Sequence, residues 1–595
     1  MNWRREWASI FLWGWRASRR LLLLSAALLL VVAISSIVYP IGLALVINAA
    51  RHHRSGQLIV GIVLVAVFYT ITWAGSMFSG VEISRFAQTT TGYLNAQIAE
   101  TLHAVSSIDH LERPEYRTEL DLLQENAGLL GAGARQMLVV GQVLLRTVAI
   151  IVILALIYAP LALLPLVAIA PVLGERLSVD LRQRTEEQVA AKRRLADELF
   201  ELASSSGPAK ELRVFGAVRP LRARHAELAR EIMAEVNRAT LRGTLYGMAG
   251  WLVFGAAFVG GIALVVVRAA HGEASVGQVV LAVTLIQRVQ MQVGQAAGSV
   301  GQLLTTARHA RRLLWLEDYA AAERREIEAR AHASAPVTLS KGIVLERVSF
   351  GYPPAGASVL AELDLVIPAG SAVALVGENG AGKTTLVKLL TGMYQPTRGR
   401  ILLDDTPLTE IDPAAWRART AATFQDFVEF ELLAREVVGI GDLYKLDDDD
   451  AVATALKRAD AEAVVAQLHS GLGTPVGTSF EEGQQLSGGQ WQRLALARGM
   501  MRPAPLLLIL DEPTASLDAI TEARLFDRYL AARADARRTG AITVLVSHRF
   551  STVRMADLIV VIEHGRIAEQ GTHQQLMATG GLYSQLYEMQ ARAYR

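Results

Sequence analysis

Long stretches without charge dominate the first half of the sequence. Thirty consecutive residues, Leu21–Ala50, carry no charged side chain, and Leu58–Val81 carries none either. Charge-poor runs recur at Met137–Gly174, Leu245–Val267 and Val276–Gln287. A helix needs about 20 apolar residues to cross about 30 Å of hydrocarbon. Because the third run is too long for one crossing and contains a proline near its middle, we predict six membrane-spanning helices in an all-α domain covering residues 1–316.

The distribution of arginine predicts the orientation of these helices. Arginines crowd the N-terminus and the long polar segment Arg176–Arg242, whereas the inferred outer loops are short: Arg51–Arg54, Tyr158–Pro160 and Arg268–Ser275. Positively charged segments stay on the cytoplasmic side of a membrane. We therefore place the N-terminus in the cytoplasm of a multi-pass protein of the cytoplasmic membrane, and six crossings return the chain to that side.

The N-terminus itself is not typical of a cleavable signal. Trp3, Trp7, Trp13 and Trp15 alternate there with arginines, which predicts an amphipathic helix lying on the inner membrane surface. The alternative is that this segment simply begins the first spanning helix. Further along, two long polar helical stretches at about 82–136 and 175–244 join the predicted inner ends of the spanning helices.

The second half of the chain contains a phosphate-binding loop. Residues 377–384 read Gly-Glu-Asn-Gly-Ala-Gly-Lys-Thr, after a short apolar run at Ala372–Val376 that is typical of a buried parallel strand. Glycines let successive backbone N–H groups point inward around phosphate oxygens. Lys383 supplies a positive charge for the β- and γ-phosphates, and the hydroxyl of Thr384 suits Mg²⁺. The sequence therefore predicts an α/β domain that binds ATP and Mg²⁺.

A second apolar run ends in two carboxylates. Leu506–Leu510 precedes Asp511 and Glu512, which places both acids at the carboxyl end of a buried strand, where ligands of open α/β sheets bind. Asp511 suits the outer coordination of Mg²⁺, and Glu512 suits a base that polarises the attacking water. The alternative is that the acid pair merely caps the following helix.

Residues 340–595 resemble the nucleotide-binding domain of an ABC transporter, motif by motif and in the family's order. The resemblance implies that Tyr352 stacks on adenine, that Gln425 touches Mg²⁺ and senses the membrane domain, and that His548 contacts the γ-phosphate. It also implies these sets: the ATP-binding residues Gly377, Glu378, Asn379, Gly380, Ala381, Gly382, Lys383, Thr384 and Thr385; the signature Leu486, Ser487, Gly488, Gly489 and Gln490, which completes the site of the opposite subunit; and the coupling loop Ser516, Leu517 and Asp518.

Two places depart from the commonest family pattern. Thr478–Gly483, just before the signature, lacks the acidic-glycine arrangement usual in exporters, and Trp491 stands where an arginine is common. The signature itself lies where a helix begins, so that its N–H groups and the helix dipole form an anion site. One domain therefore supplies a cradle for one ATP and a lid for another, and ATP holds two domains together.

Along its whole length the chain resembles the type IV ABC exporters, with 317–339 as a charged helical linker. The resemblance implies a half-transporter that pairs with a second copy, a homodimer being simpler than a heterodimer, and exports or flips an amphipathic small molecule, lipid or peptide. It also implies that short crosswise helices at Glu115–Leu120 and Phe215–Leu221 press on the ATPase, the alternative being generic hairpins. Import by an exporter-shaped protein, and an ATP-gated channel or regulator, are rival functions.

One face of the sixth helix predicts a substrate path. Arg288, Gln292, Gln295, Ser299 and Gln302 recur at spacings of three and four residues, which places them on one side of a helix. A charge deep in the membrane is costly unless it faces an interior or water. Arg146 in the third helix is expected to join this face, and two copies would form a cavity suited to an amphipathic substrate with an anionic group. Alternatively, Arg288 pairs with an acid and only holds the bundle together.

Composition excludes little else. The chain has no cysteine, which rules out disulfides and thiol chemistry. The formal net charge of +2 and the absence of any recognisable nucleic-acid motif give no reason to expect a nucleic-acid partner.

Overall fold

The structure is a computed structural model that describes residues 3–167, 169–205, 207–353, 358–513 and 538–593. The chain divides into two compact units, which we call the helical unit and the α/β unit. The helical unit comprises Met1–Thr101 and Glu119–Glu317, and the α/β unit comprises Leu102–Thr118 and Asp318–Arg595. The segment Leu102–Thr118 therefore belongs to the α/β unit, although it lies inside the predicted membrane domain in sequence.

The N-terminal half is helical throughout its regular structure. Its helices are α1 Trp3–Ala17, α2 Arg19–Arg51, α3 Ser55–Ala104, α4 Asp109–Glu112, α5 Pro114–Glu125, α6 Ala127–Ile157, α7 Leu164–Val167, α8 Ile169–Ser204, α9 Ala209–Val214, α10 Val218–Ala270 and α11 Val276–Arg330, with a 3₁₀ turn at Ala159–Leu163. The predicted linker at 317–339 begins inside α11, which continues unbroken to Arg330.

Within the described residues, four helices are long and apolar enough to cross a membrane: α2, α3, α6 and α10. The other two predicted spans do not fall on helices of this kind. The fourth follows the 3₁₀ turn at Ala159–Leu163, where Pro160 cannot donate a backbone hydrogen bond and α6 has ended. The sixth occupies the start of α11, and its uncharged run ends at Arg288.

Small residues allow α8 and α10 to pack closely in the helical unit. A Cβ added to Gly250 would lie 2.6 Å from the carbonyl oxygen of Ala170, and one added to Gly174 would lie 2.6 Å from that of Tyr246. Helices packed in membranes use such small residues because they bring backbones close enough for dense van der Waals contact. These glycines therefore fix a helix pair that alanine would force apart.

The predicted crosswise helices at Glu115–Leu120 and Phe215–Leu221 do not form separate short helices. The short helices are α4 and α9, while residues 115–120 fall within α5 and residues 215–217 form the turn before α10. Pro114 stands at the first position of α5, where a proline is favoured because its missing N–H would be unbonded anyway. Gly216, with φ of 62°, terminates the turn after α9.

The α/β unit contains two sheets. Its strands are β1 Gly342–Phe350, β2 Leu360–Pro368, β3 Ala372–Val376, β4 Arg398–Leu403, β5 Thr406–Pro407, β6 Thr420–Thr423, β7 Leu507–Asp511, β8 Ile542–Val546, β9 Leu558–Glu563 and β10 Arg566–Gly571. A four-stranded antiparallel sheet has the order β2-β1-β4-β5, and a six-stranded sheet has the order β10-β9-β3-β8-β7-β6. In the second sheet only β10 is antiparallel to its neighbour.

Helices cover these sheets. They are α12 Lys383–Leu390, α13 Pro413–Arg417, α14 Ala434–Gly439, α15 Asp449–Arg458, α16 Glu462–Ala466, α17 Gly488–Gly499, α18 Phe550–Val553, α19 His573–Thr579 and α20 Leu582–Ala593. Val373, Leu375 and Leu507 are fully buried in one core with residues of the antiparallel sheet. Burial on both faces explains why β3 and β7 are continuous apolar runs, and it fixes the strand ends from which the candidate site is built.

Candidate functional site

The phosphate-binding loop joins β3 to α12 as the sequence predicts. Gly377, Gly380 and Gly382 all have positive φ values, of 155°, 82° and 106°. A Cβ on Gly377 would lie 2.2 Å from the carbonyl oxygen of Ile562, and one on Gly382 would lie 2.5 Å from Leu360 Cδ2. Other residues would therefore meet both backbone strain and a steric clash. The loop wraps the N-terminus of α12, where N–H groups and the helix dipole favour an anion.

Lys383, the first residue of α12, folds back across this loop. Its Nζ donates hydrogen bonds to the carbonyl oxygens of Gly377 at 2.8 Å and Glu378 at 2.9 Å. Burial lowers the pKa of Lys383, and the charges of Glu512 and Asp511 oppose this shift. The ammonium is thus held at the cradle, beside the two acids at the end of β7.

Tyr352 lies in an aromatic cluster beside α12. Its hydroxyl is 3.1 Å from the Thr385 Oγ1. Its ring meets Phe350 edge-on, with ring centroids 5.0 Å apart, and meets Tyr394 edge-on at 5.4 Å. A half-buried aromatic ring held by edge contacts suits stacking on a flat heteroaromatic ring.

Asp511 is a buried carboxylate in a negative environment. It ends β7 and is 2% exposed. Burial raises its pKa to about 6, and the negative charges of Glu512 and Asp426 act in the same direction, opposed by Lys383. A buried anion with like charges around it is unfavourable on its own. The site therefore favours a cation beside Asp511.

The donor set around Asp511 fits Mg²⁺. The predicted ligands Thr384, Gln425 and Asp511 offer a hydroxyl, an amide and a carboxylate oxygen, and Mg²⁺ prefers oxygen. Within the described residues, no three or more His, Cys, Asp and Glu side chains group into a metal site. Because Mg²⁺ in nucleotide sites is held by one or two carboxylates and by phosphate oxygens, so sparse a protein set is sufficient.

Glu512 follows directly and has a strained backbone. Its φ is 47°, which a residue other than glycine rarely adopts. Its N–H donates to the carbonyl of Val546 at 2.9 Å, which links the ends of β7 and β8. The Oε1 of Glu512 lies 3.4 Å from the Nδ1 of His548. The structure thus brings the predicted base and the predicted γ-phosphate contact together at one sheet edge.

The structure shows fewer contacts for Gln425 and does not describe the predicted coupling loop. Gln425 is exposed in the turn after β6, next to Asp426, whose charge acts on Asp511. The predicted coupling loop Ser516, Leu517 and Asp518 lies outside the described residues.

The signature lies at the exposed start of α17. Ser487 is the N-cap: its Oγ accepts from the Gln490 N–H at 3.3 Å, and the Gln490 Oε1 accepts from the Ser487 N–H at 2.8 Å. Leu486 is buried and anchors the turn. A Cβ added to Gly488 would meet no atom within 4 Å. The positive end of this twelve-residue helix therefore faces open space, ready for an anion from outside the chain.

The unusual stretch before the signature is tied to Glu431. The carboxylate of Glu431 accepts from the backbone N–H groups of Thr478 at 3.0 Å and Ser479 at 2.8 Å. A hydrogen bond from the Ser479 side chain and, after it, the backbone bond from Thr478 lower the pKa of Glu431. Sequence reasoning missed Glu431, because it precedes its partners by almost fifty residues and matches no motif.

The uncharged residues of the predicted substrate face on α11 are either buried or exposed. Gln292 and Ser299 are buried, and each bonds α6: Thr147 Oγ1 donates to Gln292 Oε1 at 2.8 Å, and Gln136 Nε2 donates to Ser299 Oγ at 2.5 Å. Gln295 and Gln302 are exposed.

The two arginines of the predicted face differ from its amides. The guanidinium of Arg288 lies 4.7 Å from the ring centre of Tyr39. Arg146 is close enough to interact with the charge of Arg288, and its buried Nε has no hydrogen-bond partner in the described part of the chain. These two side chains therefore form a partly buried positive cluster in the helical unit.

Comparisons with known proteins agree with this arrangement. Residues 360–515 match the family model described as ABC transporter. The subtilin transport ATP-binding protein of Bacillus subtilis is 33% identical over 353 residues, which are 59% of this chain and 55% of that protein. The ATP-dependent lipid A-core flippase of Alcanivorax borkumensis is 41% identical over 247 residues, 42% of this chain and 40% of that one. The matched regions thus span about half or less of these relatives.

A solved structure extends the comparison over the whole fold. The structure of a bacterial Atm1-family ABC exporter with ATP bound superimposes with a TM-score of 0.79, covering 96% of this chain and 98% of that one at 24% identity. The fold and site thus define an ATP-binding α/β domain preceded by a membrane-spanning helical region. Residues 360–515 thus match the ABC transporter family, and the chain as a whole has the fold of that exporter structure.

Proposed function

We propose that two copies of this chain form a transporter that uses ATP hydrolysis to export, or flip between leaflets, an amphipathic substrate. The observation that carries the proposal is the division of the site within one chain. The cradle around Lys383 is complete except for a lid, whereas the N-terminus of α17 at Ser487 is exposed and faces open space. Two copies arranged head to tail place each α17 against the γ-phosphate held by the other, and a homodimer is the simplest assembly.

The hydrolysis step follows from the residues at the sheet edge. Lys383 and the loop N–H groups bind the phosphates, and Mg²⁺ held by Thr384, Gln425 and Asp511 would neutralise charge on the phosphate oxygens when bound. Glu512 accepts a proton from water while the water oxygen bonds to the γ-phosphorus. The bond between the γ-phosphorus and the β–γ bridging oxygen breaks and releases ADP. Loss of the shared phosphate removes the charge that holds the two domains together.

Export from the cytoplasm is favoured by the distribution of charge. The loops after α2, α6 and α10 are short, whereas the segment from α8 to α10 is long and rich in arginine. The positive-inside bias assigns the N-terminus and the ATPase domain to the cytoplasmic side. Substrate driven outward by ATP would therefore leave the cytoplasm or its leaflet of the membrane.

The substrate class is inferred from α11 and from the relatives. The match to the subtilin transport protein is longer than the stretch from residue 340 to the C-terminus, so it includes part of the helical region. The matches to lipid A-core flippases are short enough to lie within the ATPase domain. Arg288 and Arg146 form a positive cluster in the helical unit. We therefore propose an amphipathic peptide or lipid-like molecule that carries an anionic group.

Inverted membrane vesicles test the direction of transport. A panel of anionic, neutral and cationic amphiphiles is first screened for stimulation of ATPase activity in lipid nanodiscs. The best hit should then accumulate inside inverted vesicles only when ATP is supplied and Glu512 is intact. Accumulation in right-side-out vesicles instead would indicate import, and ATP-dependent leak down a gradient would indicate a channel or regulator.

Arg288→Ala tests the anionic preference. It should reduce stimulation by the anionic hit about tenfold, as expected for the loss of a charge-assisted contact, while basal ATPase activity remains. Arg268→Ala is the matched control, because Arg268 also lies over a tyrosine ring, at 4.2 Å from Tyr158, but in the predicted outer loop region. Equal stimulation in wild type and Arg288→Ala would contradict the proposed path.

A further inference from the structure

The segment Leu102–Thr118 is firmly attached to the ATPase domain. The carbonyl of Ser106 accepts from Arg417 Nη1 at 3.0 Å, and the N–H of Ser107 donates to Glu323 Oε1 at 3.0 Å. Ile108 packs against the main hydrophobic core of the domain, and His110 is 1% exposed. This segment, which follows α3 in the chain, is therefore built into the α/β unit.

Glu112, at the end of α4, is held by two side chains of the ATPase domain. Its Oε1 accepts from Lys388 Nζ at 2.6 Å, and its Oε2 accepts from the Tyr394 hydroxyl at 2.6 Å. Burial alone would lower the pKa of Lys388, but the hydrogen bond and charge of Glu112 raise it. One carboxylate thus fixes two side chains of the ATPase domain at once.

Both partners of Glu112 contact Tyr352, the predicted adenine-stacking residue. The ring of Tyr394 stands at 90° to that of Tyr352, with centroids 5.4 Å apart. Lys388 Nζ lies 5.5 Å from the centre of the Tyr352 ring. Lys388 also belongs to α12, one turn after the phosphate-loop residue Thr384. Glu112 therefore lies two contacts away from the predicted adenine end of the site, and its hydrogen bonds to described residues do not include the phosphate cradle.

We propose that Glu112 is a positioning residue for adenine: it orients Tyr394 and Lys388 against Tyr352, so that the loop after α3 sets the affinity of the ATPase domain for ATP. The proposal rests on the ATP site of the proposed function, but not on the direction or the substrate of transport. A loop that merely anchors two parts of the chain would affect folding or coupling without discriminating between ligands that have a base and ligands that lack one.

Separate binding titrations distinguish a positioning role from a purely structural one. The full-length protein in nanodiscs is titrated with ATP and, separately, with inorganic triphosphate, which occupies the phosphate cradle but has no adenine. Glu112→Gln should weaken ATP binding about 3- to 10-fold, as expected for a partly exposed charge-assisted hydrogen bond, and leave triphosphate binding unchanged. The KM for ATP should rise by the same factor, and kcat should change less than about twofold.

Three further variants strengthen the test. Tyr394→Phe keeps the ring but removes the hydroxyl, and it should reproduce part of the loss in ATP affinity even if Glu112→Gln folds poorly. Glu112→Lys combined with Lys388→Glu should recover affinity relative to either single change, because the ion pair is restored. Glu346→Gln is the matched control: Glu346 accepts from Arg400 at 2.6 Å in the same unit, away from this cluster, and its loss should alter neither ligand.

Each outcome decides the proposal. An equal loss of ATP and triphosphate affinity in Glu112→Gln, or no loss of either, would overturn it in favour of a purely structural anchor. If Glu112→Gln weakens ATP binding as expected but the wild-type protein moves no amphiphile in vesicles, the proposed function fails and this inference stands. Wild-type protein that binds no ATP would defeat both.

Discussion

Polar groups are used differently in the two regions of this molecule. In the ATPase domain, Asp511 is buried beside the like charge of Glu512, and that negative charge is left for a cation and a nucleotide. In the helical region, Gln292 and Ser299 are buried as well, but each is paired with a side chain of α6. The contrast teaches that a buried polar group marks a ligand site when its charge is uncompensated, and marks helix packing when its hydrogen bonds are complete.

The largest effect is expected at the base of the ATPase domain. Glu512→Gln keeps the shape and the 3.4 Å approach to His548, but cannot accept a proton. Hydrolysis should slow by about 10²–10⁴-fold, the usual contribution of a general base. ATP binding should persist and trap the closed dimer, which is measured by single-turnover kinetics and by the oligomeric state of the ATPase domains. Near-normal turnover would show that another group is the base.

The signature should give the next largest effect. Ser487→Arg fills the open space before α17 and should reduce hydrolysis at least about 10²-fold, comparable to the loss of an oxyanion-type donor, while ATP still binds at the partner's Lys383. Thr572→Ala is the control for lost capping, because Thr572 caps α19 with the same reciprocal bonds to Gln575. If both variants lose activity equally, domain stability rather than completion of the opposite site explains the loss.

Asp511→Asn tests the uncompensated charge through stability. The pKa of Asp511 is raised in the folded state to about 6, so the folded domain favours the protonated form, and the stabilisation present at low pH is lost as pH rises through about 6. One pKa unit corresponds to about 1.4 kcal/mol. Without Mg²⁺ and nucleotide, the variant should therefore be about 2–3 kcal/mol more stable than wild type at pH 7.5, and equal below about pH 4.

Chemical denaturation of the full-length protein in EDTA, at both pH values, measures this difference for the ATPase-domain transition. Mg²⁺ and ATP should reverse the order of the two proteins at pH 7.5. A variant that is less stable than wild type at every pH would mean that Asp511 is already satisfied by the protein.

The smallest effect is expected for the paired groups of the helical region. Ser299→Ala removes the acceptor of the Gln136 amide, and hydrogen bonds between membrane helices are worth about 0.6 kcal/mol on average. It should lower thermal stability slightly and leave the substrate profile of ATPase stimulation unchanged, in contrast to Arg288→Ala. A changed profile would place Ser299 on the substrate path and break the distinction between paired and unpaired groups.

The position of the candidate ATP site could be predicted from sequence because its residues are local. The loop at Gly377–Thr384 and the acids after β7 are each contiguous, and strand ends in a parallel sheet bring them together. The substrate face was predicted from helical spacing alone, which cannot tell a side chain that meets α6 from one that meets a cavity. Glu112, Tyr394 and Glu431 were missed because each acts on a partner far away in sequence and belongs to no motif.

The crosswise helices show the same limit in another form. Helix formers lie on both sides of Pro114, so propensity could not locate the short element, and Pro114 stands where α5 begins. Their positions depend on packing that no local pattern records.

The membership of Leu102–Thr118 in the α/β unit has a consequence for exchanging modules between transporters. A chimera joined at residue 318 or 340 would separate the ATPase domain from seventeen residues that pack in its own unit, and would expose the surface that Ile108 covers. The unit that can be transplanted is discontinuous in sequence. A recombination that keeps this unit intact must transfer Leu102–Thr118 and Asp318–Arg595 together. The ATPase domain is therefore harder to exchange than a single boundary suggests.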